Sequence, residues 1–200
     1  MKLYYWQIKA RSYAAMAVAQ AGGISIEHTV DPKLTELRPE LPFGQLPYLV
    51  DGDIKVAQSL AIVRYLARKG GLQGDTDKGF AFSEMLIQEM EDCFTLMAKA
   101  NYVADKAAAY AETLAHDGPL AKQFGYLEKL HPGDGPFFNN QPGAKRVAGA
   151  YAIAAVLDIA VHLEPTVLDP FPKLKLFYTT IIADSAFDGI RDWNMYLSRT

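Results

Sequence analysis

Near the start, Leu3-Tyr4-Tyr5-Trp6 is an apolar aromatic run followed by the polar Gln7, Lys9 and Arg11, the composition of a buried strand. Alternation puts Tyr4 and Trp6 on one face and Tyr5 on the other, and the pattern gives Tyr4 and Trp6 the better claim to the core. Ser12 to Ala21 is rich in helix formers, opens on a capping-type Ser12 and stops at Gly22-Gly23, so it predicts a helix. Ile24 to Thr29 alternates apolar and polar with period two and predicts a second strand, parallel to the first across the helix. Pro32, Pro39 and Pro42 make Asp31 to Phe43 mostly loop, with at most a short helical turn. Tyr48 to Asp51 and Ile54 to Ala57, joined by Gly52-Asp53, predict a hairpin. Ser59 then opens a helix with apolar spacings of three and four and with Arg68 near its end.

From Phe80 the alternation disappears and helix formers dominate. Helices are predicted over Ser83–Asn101, Ala104–Ala115, Pro119–Leu130, Ala144–Leu163 and Pro172–Ala183, with a short one near Ile190–Leu197. His131 to Gly143 is the expected long loop, and the glycine-rich Gly70 to Lys78 is the expected linker. The fold class is therefore α+β, in two domains: 1–73, built as βαβ then ββα, and 80–200, all helical.

Composition narrows the chemistry. In 200 residues, 50% are hydrophobic and the net charge is −3, which describes a folded chain with no basic excess for nucleic acid. The single cysteine, Cys93, cannot form an internal disulfide, and no Cys/His spacing suits a metal. His28, His116, His131 and His162 are scattered and read as structural or surface residues. The apolar stretch Ala150–Leu157 ends at Asp158, far short of the ~20 residues of a membrane span, and a cytoplasmic location is expected.

The segment Pro42-Phe43-Gly44-Gln45-Leu46-Pro47-Tyr48-Leu49, with Asp51 to Ser59 and Ala61 to Leu66, resembles the glutathione-binding half of a cytosolic glutathione transferase. Tyr5-Trp6 with Arg11 is similar to the tyrosine-type classes, sigma first and mu second, and Phe171 to Phe177 resembles the family's late helix. The resemblance implies a thioredoxin-like first domain, glutathione as co-substrate, a small hydrophobic electrophile and a homodimer. It implies a cis Leu46–Pro47 bond that leaves the backbone of Gln45 and Leu46 to the extended peptide, and a γ-glutamyl carboxylate held by Gln58 and Ser59. On pattern alone, Pro47 could simply start an edge strand and Ser59 simply cap a helix.

Tyr5 is the position of the family's catalytic tyrosine, which donates a hydrogen bond to the glutathione sulfur, although an aromatic in a first strand is ordinarily core. Arg11 would add positive potential beside it, or else be a solvated arginine. Arg38 corresponds to the residue that holds the glycine carboxylate, and Leu34 stands where a tryptophan is common. Asp92, in Met90 to Phe94, corresponds to the acid that reaches the partner chain's glutathione ammonium, or else Glu91-Asp92 is simply a solvated helix face. By position, Tyr13, Phe94, Met97, Ala98, Tyr102 and Trp193 are candidates for the electrophile's wall. One departure stands out: where the family caps its central helix with Ser/Thr-x-x-Asp, this chain has Ala148 and Tyr151. The expected activity is conjugation of the glutathione thiolate. The alternatives are a prostaglandin-type isomerase and a crystallin-like structural protein of the same fold.

Overall fold

The computed structural model describes residues 1–30, 32–130 and 146–199. The loop expected at 131–143, with His131, and Ala144, the expected start of the next helix, lie outside the described residues.

The sheet has strand order β3-β1-β4-β5, from β1 (Lys2–Tyr4), β3 (Glu27–Thr29), β4 (Tyr48–Asp51) and β5 (Ile54–Ala57). β1 runs parallel to β3 and antiparallel to β4, with Leu3 opposite His28 on one side and Leu49 on the other. Period-two alternation sends Leu3 and Leu49 into the main core, under α1 (Tyr13–Ala21) and α3 (Ser59–Lys69). Tyr4 and Tyr48 face the opposite way, into a small cluster beneath α2 (Leu34–Leu37) and the 3-10 turn Arg38–Glu40.

The helical half comprises α4 (Asp77–Asn101), α5 (Lys106–Thr113), α6 (Pro119–Leu130), α7 (Ala148–Leu163) and α8 (Pro172–Ile181). α4 starts at Asp77, well before the expected Ser83, because the Thr76 hydroxyl accepts from the Gly79 N–H at 3.0 Å and caps it. Ser12 does the opposite: it precedes α1, but its hydroxyl makes no cap bond and is buried without a partner among the described residues. The predicted helix over Ile190–Leu197 is absent. Asn194–Met195 is instead a strand, β6, parallel to β2 (Ile8–Lys9). Trp193 and Leu197 are buried and Asn194 and Tyr196 exposed, a period-two pattern that no helix produces.

α7 is the central helix, and its missing cap has a substitute. The Ala148 N–H donates to the Leu72 carbonyl at 2.8 Å and the Gly149 N–H to the Ser83 hydroxyl at 3.1 Å. Two free donors of the first turn are thus satisfied by groups distant in sequence. Gly149 permits that approach, since a Cβ there would lie 2.5 Å from the Ser83 carbonyl oxygen. Further along α7, buried Asp158 meets Lys9 Nζ at 2.7 Å and accepts from the hydroxyls of Tyr13 at 2.8 Å and Tyr178 at 2.9 Å. β2, α1 and α8 are therefore pinned to α7 directly behind the segment that carries Arg11. No described helix is long and apolar enough to cross a membrane.

Candidate functional site: two adjoining cavities

Two cavities of similar size meet at Trp6 and Arg11, which line both. The first, about 530 Å³, is polar and runs between the Phe43–Pro47 loop and the start of α3. The second, about 540 Å³, is mostly apolar and opens between the Tyr5–Arg11 segment and α4.

In the polar cleft, Gln45, Leu46 and Pro47 form one wall, and the Leu46–Pro47 bond is cis. Since the β4 ladder begins at Tyr48, Gln45 and Leu46 stand before it, outside the strand pairing and in the lining of the cleft. Gln58 and Ser59 form the opposite wall. Gln58 takes φ 73° and ψ 121°, a backbone that L-residues avoid at a cost of ~1–3 kcal/mol. That twist turns the chain from β5 into α3 and brings the first N–H groups of the helix, which have no intrahelical acceptor, to the cleft. The Ser59 hydroxyl has no partner among the described residues. The helix end and this hydroxyl together suit an anion.

Tyr5 is buried, 6% exposed, and lines the apolar cavity. The face assignment from the sequence is corrected here: Tyr5 is the buried residue of the run, while Trp6 is 39% exposed and stands over both cavities, its ring edge-on to Tyr5 at 5.4 Å. The strand ends at Tyr4, so the alternation of the sheet no longer governs Trp6. Burial pushes the Tyr5 phenol above its usual value, with the Arg11 backbone N–H and charge pulling the other way. Tyr5 is therefore an O–H donor at neutral pH.

Arg11 is exposed to solvent but not free. Its Nη1 donates to both carboxylate oxygens of Glu91 at 2.9 and 3.1 Å, and its guanidinium lies 5.1 Å above the Phe94 ring. Glu91 was not foreseen. It lines the polar cleft and also accepts from the Thr95 hydroxyl at 3.2 Å. A helical signal was available, because Glu91 lies three residues before Phe94 and seven before Ala98, the spacing of one helix face, and both of those line the apolar cavity. Asp92 falls about 100° round the helix and is exposed, lining neither cavity.

Other nominated residues divide. Leu34 lines the cleft, whereas Arg38, on the adjacent turn, is exposed and outside its lining. Of the proposed electrophile wall, Phe94, Ala98 and Tyr102 line the apolar cavity. Tyr13, Met97 and Trp193 do not: Tyr13 is committed to Asp158, Met97 is fully buried, and Trp193 stacks on His28 at 5.0 Å. Tyr196, missed because a helix was expected there, completes the wall.

Comparison with known proteins agrees with this arrangement. A family described as Glutathione S-transferase, N-terminal domain, matches residues 1–68. The chain is 34% identical over 152 residues to glutathione S-transferase P of Caenorhabditis elegans, spanning 72% of this chain and 67% of that one. It is 30% identical over 215 residues to glutathione S-transferase Mu 2 of Mus musculus, spanning 98% and 90%. Among solved structures, the Pi-class glutathione S-transferase of Onchocerca volvulus matches with a TM-score of 0.79 at 26% identity, over 91% of this chain and 87% of that one. With a thioredoxin-like first half, a helical second half and sequence relatives over nearly its whole length, the chain belongs to the glutathione S-transferase family.

Proposed function

We propose that the chain conjugates the glutathione thiolate to small hydrophobic electrophiles, with domains at 1–73 for glutathione and 80–200 for the electrophile. The observation that carries this is the junction of a polar and an apolar cavity at Arg11, with Tyr5 lining the apolar side. Glutathione lies in the polar cleft as an extended peptide. Its cysteinyl backbone pairs with Leu46, and its γ-glutamyl carboxylate meets Gln58, the Ser59 hydroxyl and the α3 N–H groups. Arg38 takes the glycine carboxylate from the rim.

A free thiol of pKa ~8.5 is only a few per cent ionised at neutral pH, so lowering it by ~2 units, worth ~2.7 kcal/mol, makes the thiolate the main species. Tyr5 donates to that sulfur. Its raised phenol value supports a donor rather than a base. Arg11, held in place by Glu91 and Phe94, supplies positive potential at the junction.

The γ-glutamyl ammonium needs an acid. Among the described residues the carboxylate in the cleft lining is Glu91, already bound by Arg11, while Asp92 is exposed. We assign that role to the partner subunit's Asp92 in a homodimer, so that each site is built from two chains. Tyr5, Arg11 and Arg38 support a sigma-like member, with mu-like next. The single thiol, Cys93, buried and free, suits a cytoplasmic setting. Incubation with glutathione and a chromogenic halo-nitroarene tests the activity. Turnover, with retention on a glutathione matrix, is the expected result, and absence of both would indicate a structural protein of the same fold.

A further inference from the structure

His28 lies where the end of the chain returns to the first domain. On the edge strand β3 it stands opposite Leu3, and cross-strand partners share a face, so its side chain is on the side of the sheet that α1 covers. There its ring stacks on Trp193, with centroids 5.0 Å apart and planes 25° from parallel. Trp193, 7% exposed, packs in turn on the Tyr13 ring of α1 at 6.2 Å. It leads directly into β6, whose pairing with β2 sets Asn194 beside Ile8 and Met195 beside Lys9. Next to His28 in β3, the Thr29 carbonyl accepts from the Tyr5 N–H at 3.2 Å. One imidazole thus bears on the C-terminal strand, on the segment that carries Arg11 and on the backbone of Tyr5.

What the stack lacks is a place for a second proton. The Nε2 atom of His28 is buried and has no hydrogen-bond partner among the described residues. A neutral imidazole can leave that nitrogen as an acceptor, but an imidazolium carries two N–H donors, and one of them would be unpaired against the indole. The charged groups on the surrounding elements are engaged elsewhere. Glu27 of β3 is paired with Lys2 of β1, Lys9 of β2 with Asp158, Arg191 with Asp188 and Asp184 with Arg146, while Asp192 is exposed. α1 carries no charged side chain, and its Tyr13 is bonded to Asp158. The phenol of Tyr5 belongs to the apolar cavity's lining. Burial, foremost, holds the His28 imidazole below its ordinary value, with the Tyr5 backbone pulling the other way. An indole face attracts a cation, but that attraction is smaller than the cost of a buried charge with an unmade hydrogen bond.

We propose that His28 is a proton-sensitive latch: neutral, it holds Trp193 and with it β6 against β2, and protonated, it releases them. Above about pH 6.5 the ring is neutral in both the closed and the opened state, and the latch is whole. As the pH falls below that value the opened ring takes a proton and the stacked ring does not, so the stability of the stack is lost progressively down to the lowered native value. Release loosens the hold of β6 on the strand next to Arg11 and the wall that Tyr196 gives the apolar cavity. The latch is a property of the fold and stands whether or not the chain is a transferase.

The chain has two tryptophans, so the Trp6→Phe protein reports the fluorescence of Trp193 alone. Followed from about pH 8 to pH 5, that signal should change in one proton step with a midpoint below about 6.5. Across the same step the hydrogen-exchange protection of the β2 and β6 amides, corrected for intrinsic rates, should fall about fivefold or more. His28→Phe keeps a ring for the stack but has no proton to take, so it should show no step and should hold its protection down to pH 5, a result that also shows it folded. Should that variant fail to fold, nuclear magnetic resonance titration of the wild-type imidazole against β6 protection decides the matter alone, and the two should share one midpoint. A His28 midpoint at or above about 6.5 would contradict the latch. So would a step that survives His28→Phe, which places the titrating group elsewhere, and so would a titrating His28 with unchanged β6 protection, which means that the ring takes its proton without letting go.

Discussion

At Ser59 one hydroxyl stands at the first position of a helix and at the wall of a cleft. The account gives it to the γ-glutamyl carboxylate, and a hydrogen bond to a charged group is worth ~1.5–3 kcal/mol. Ser59→Ala should therefore raise the glutathione half-saturation concentration about tenfold or more and leave the saturated rate nearly unchanged, which initial-rate kinetics at varied glutathione will show. Unchanged half-saturation with a lowered melting temperature would make Ser59 a structural residue. The position of Ser59, Gln58 and Leu46–Pro47 at the cleft wall was legible in the sequence because they sit in two short, position-specific segments, Pro42–Leu49 and Asp51–Ser59. Glu91 was not, because its partner Arg11 is 80 residues away and nothing local announces an ion pair. The exposure of Trp6 was misread because alternation was extended past the end of β1 at Tyr4.

At the scale of elements, α7 shows how a local rule can fail without the fold failing. Ala148 and Tyr151 offer no capping side chains, and the donors of the first turn turn instead to Leu72 and Ser83. Ser83→Ala should cost about 1–2 kcal/mol of stability, measured by denaturant unfolding. Gly149→Ala should cost more, because its methyl group would meet the Ser83 backbone and the Leu86 side chain at 2.5 and 2.7 Å. An unchanged unfolding midpoint in both variants would remove this capping from the account. The hairpin and α6 were read to the residue, since their turn and helix signals are local. The β6 strand was not, because its partner β2 lies at the other end of the chain and its alternating face was hidden by the aromatic Tyr196.

For the whole molecule, the cluster of buried Lys9, Asp158 and Tyr13 with partly buried Tyr178 joins the two halves of the chain. Burial, foremost, and the Asp158 charge hold the Tyr13 and Tyr178 phenols well above their ordinary range, and burial pushes Tyr110 up to about 12. These phenols are raised in the folded state, so the native protein keeps protons that the unfolded chain releases above its pKa of ~10. Their contribution is complete below that pH and falls as the pH rises through the native values. Unfolding midpoints should hit a steep decline above about pH 10, and a flat profile to pH 12 would contradict it. Assembly gives the second prediction at this scale. Asp92→Asn should weaken glutathione binding in the dimer, and mixing it with Tyr5→Phe chains should give hybrids with one doubly defective site and one intact site. A glutathione complex with every contact from one chain, and Asp92 in solvent, would end that assignment.

Tyr5 is the residue on which the proposed chemistry depends, and the ionisation of bound glutathione reads its role directly. Ultraviolet titration of the thiolate in the complex should give a wild-type pKa ~2 units below the free value of ~8.5. In Tyr5→Phe it should return toward the free value, with glutathione affinity little changed and turnover lowered by about one to three orders of magnitude. The same depressed pKa in both proteins, with equal turnover, would contradict the assignment of Tyr5 to the sulfur.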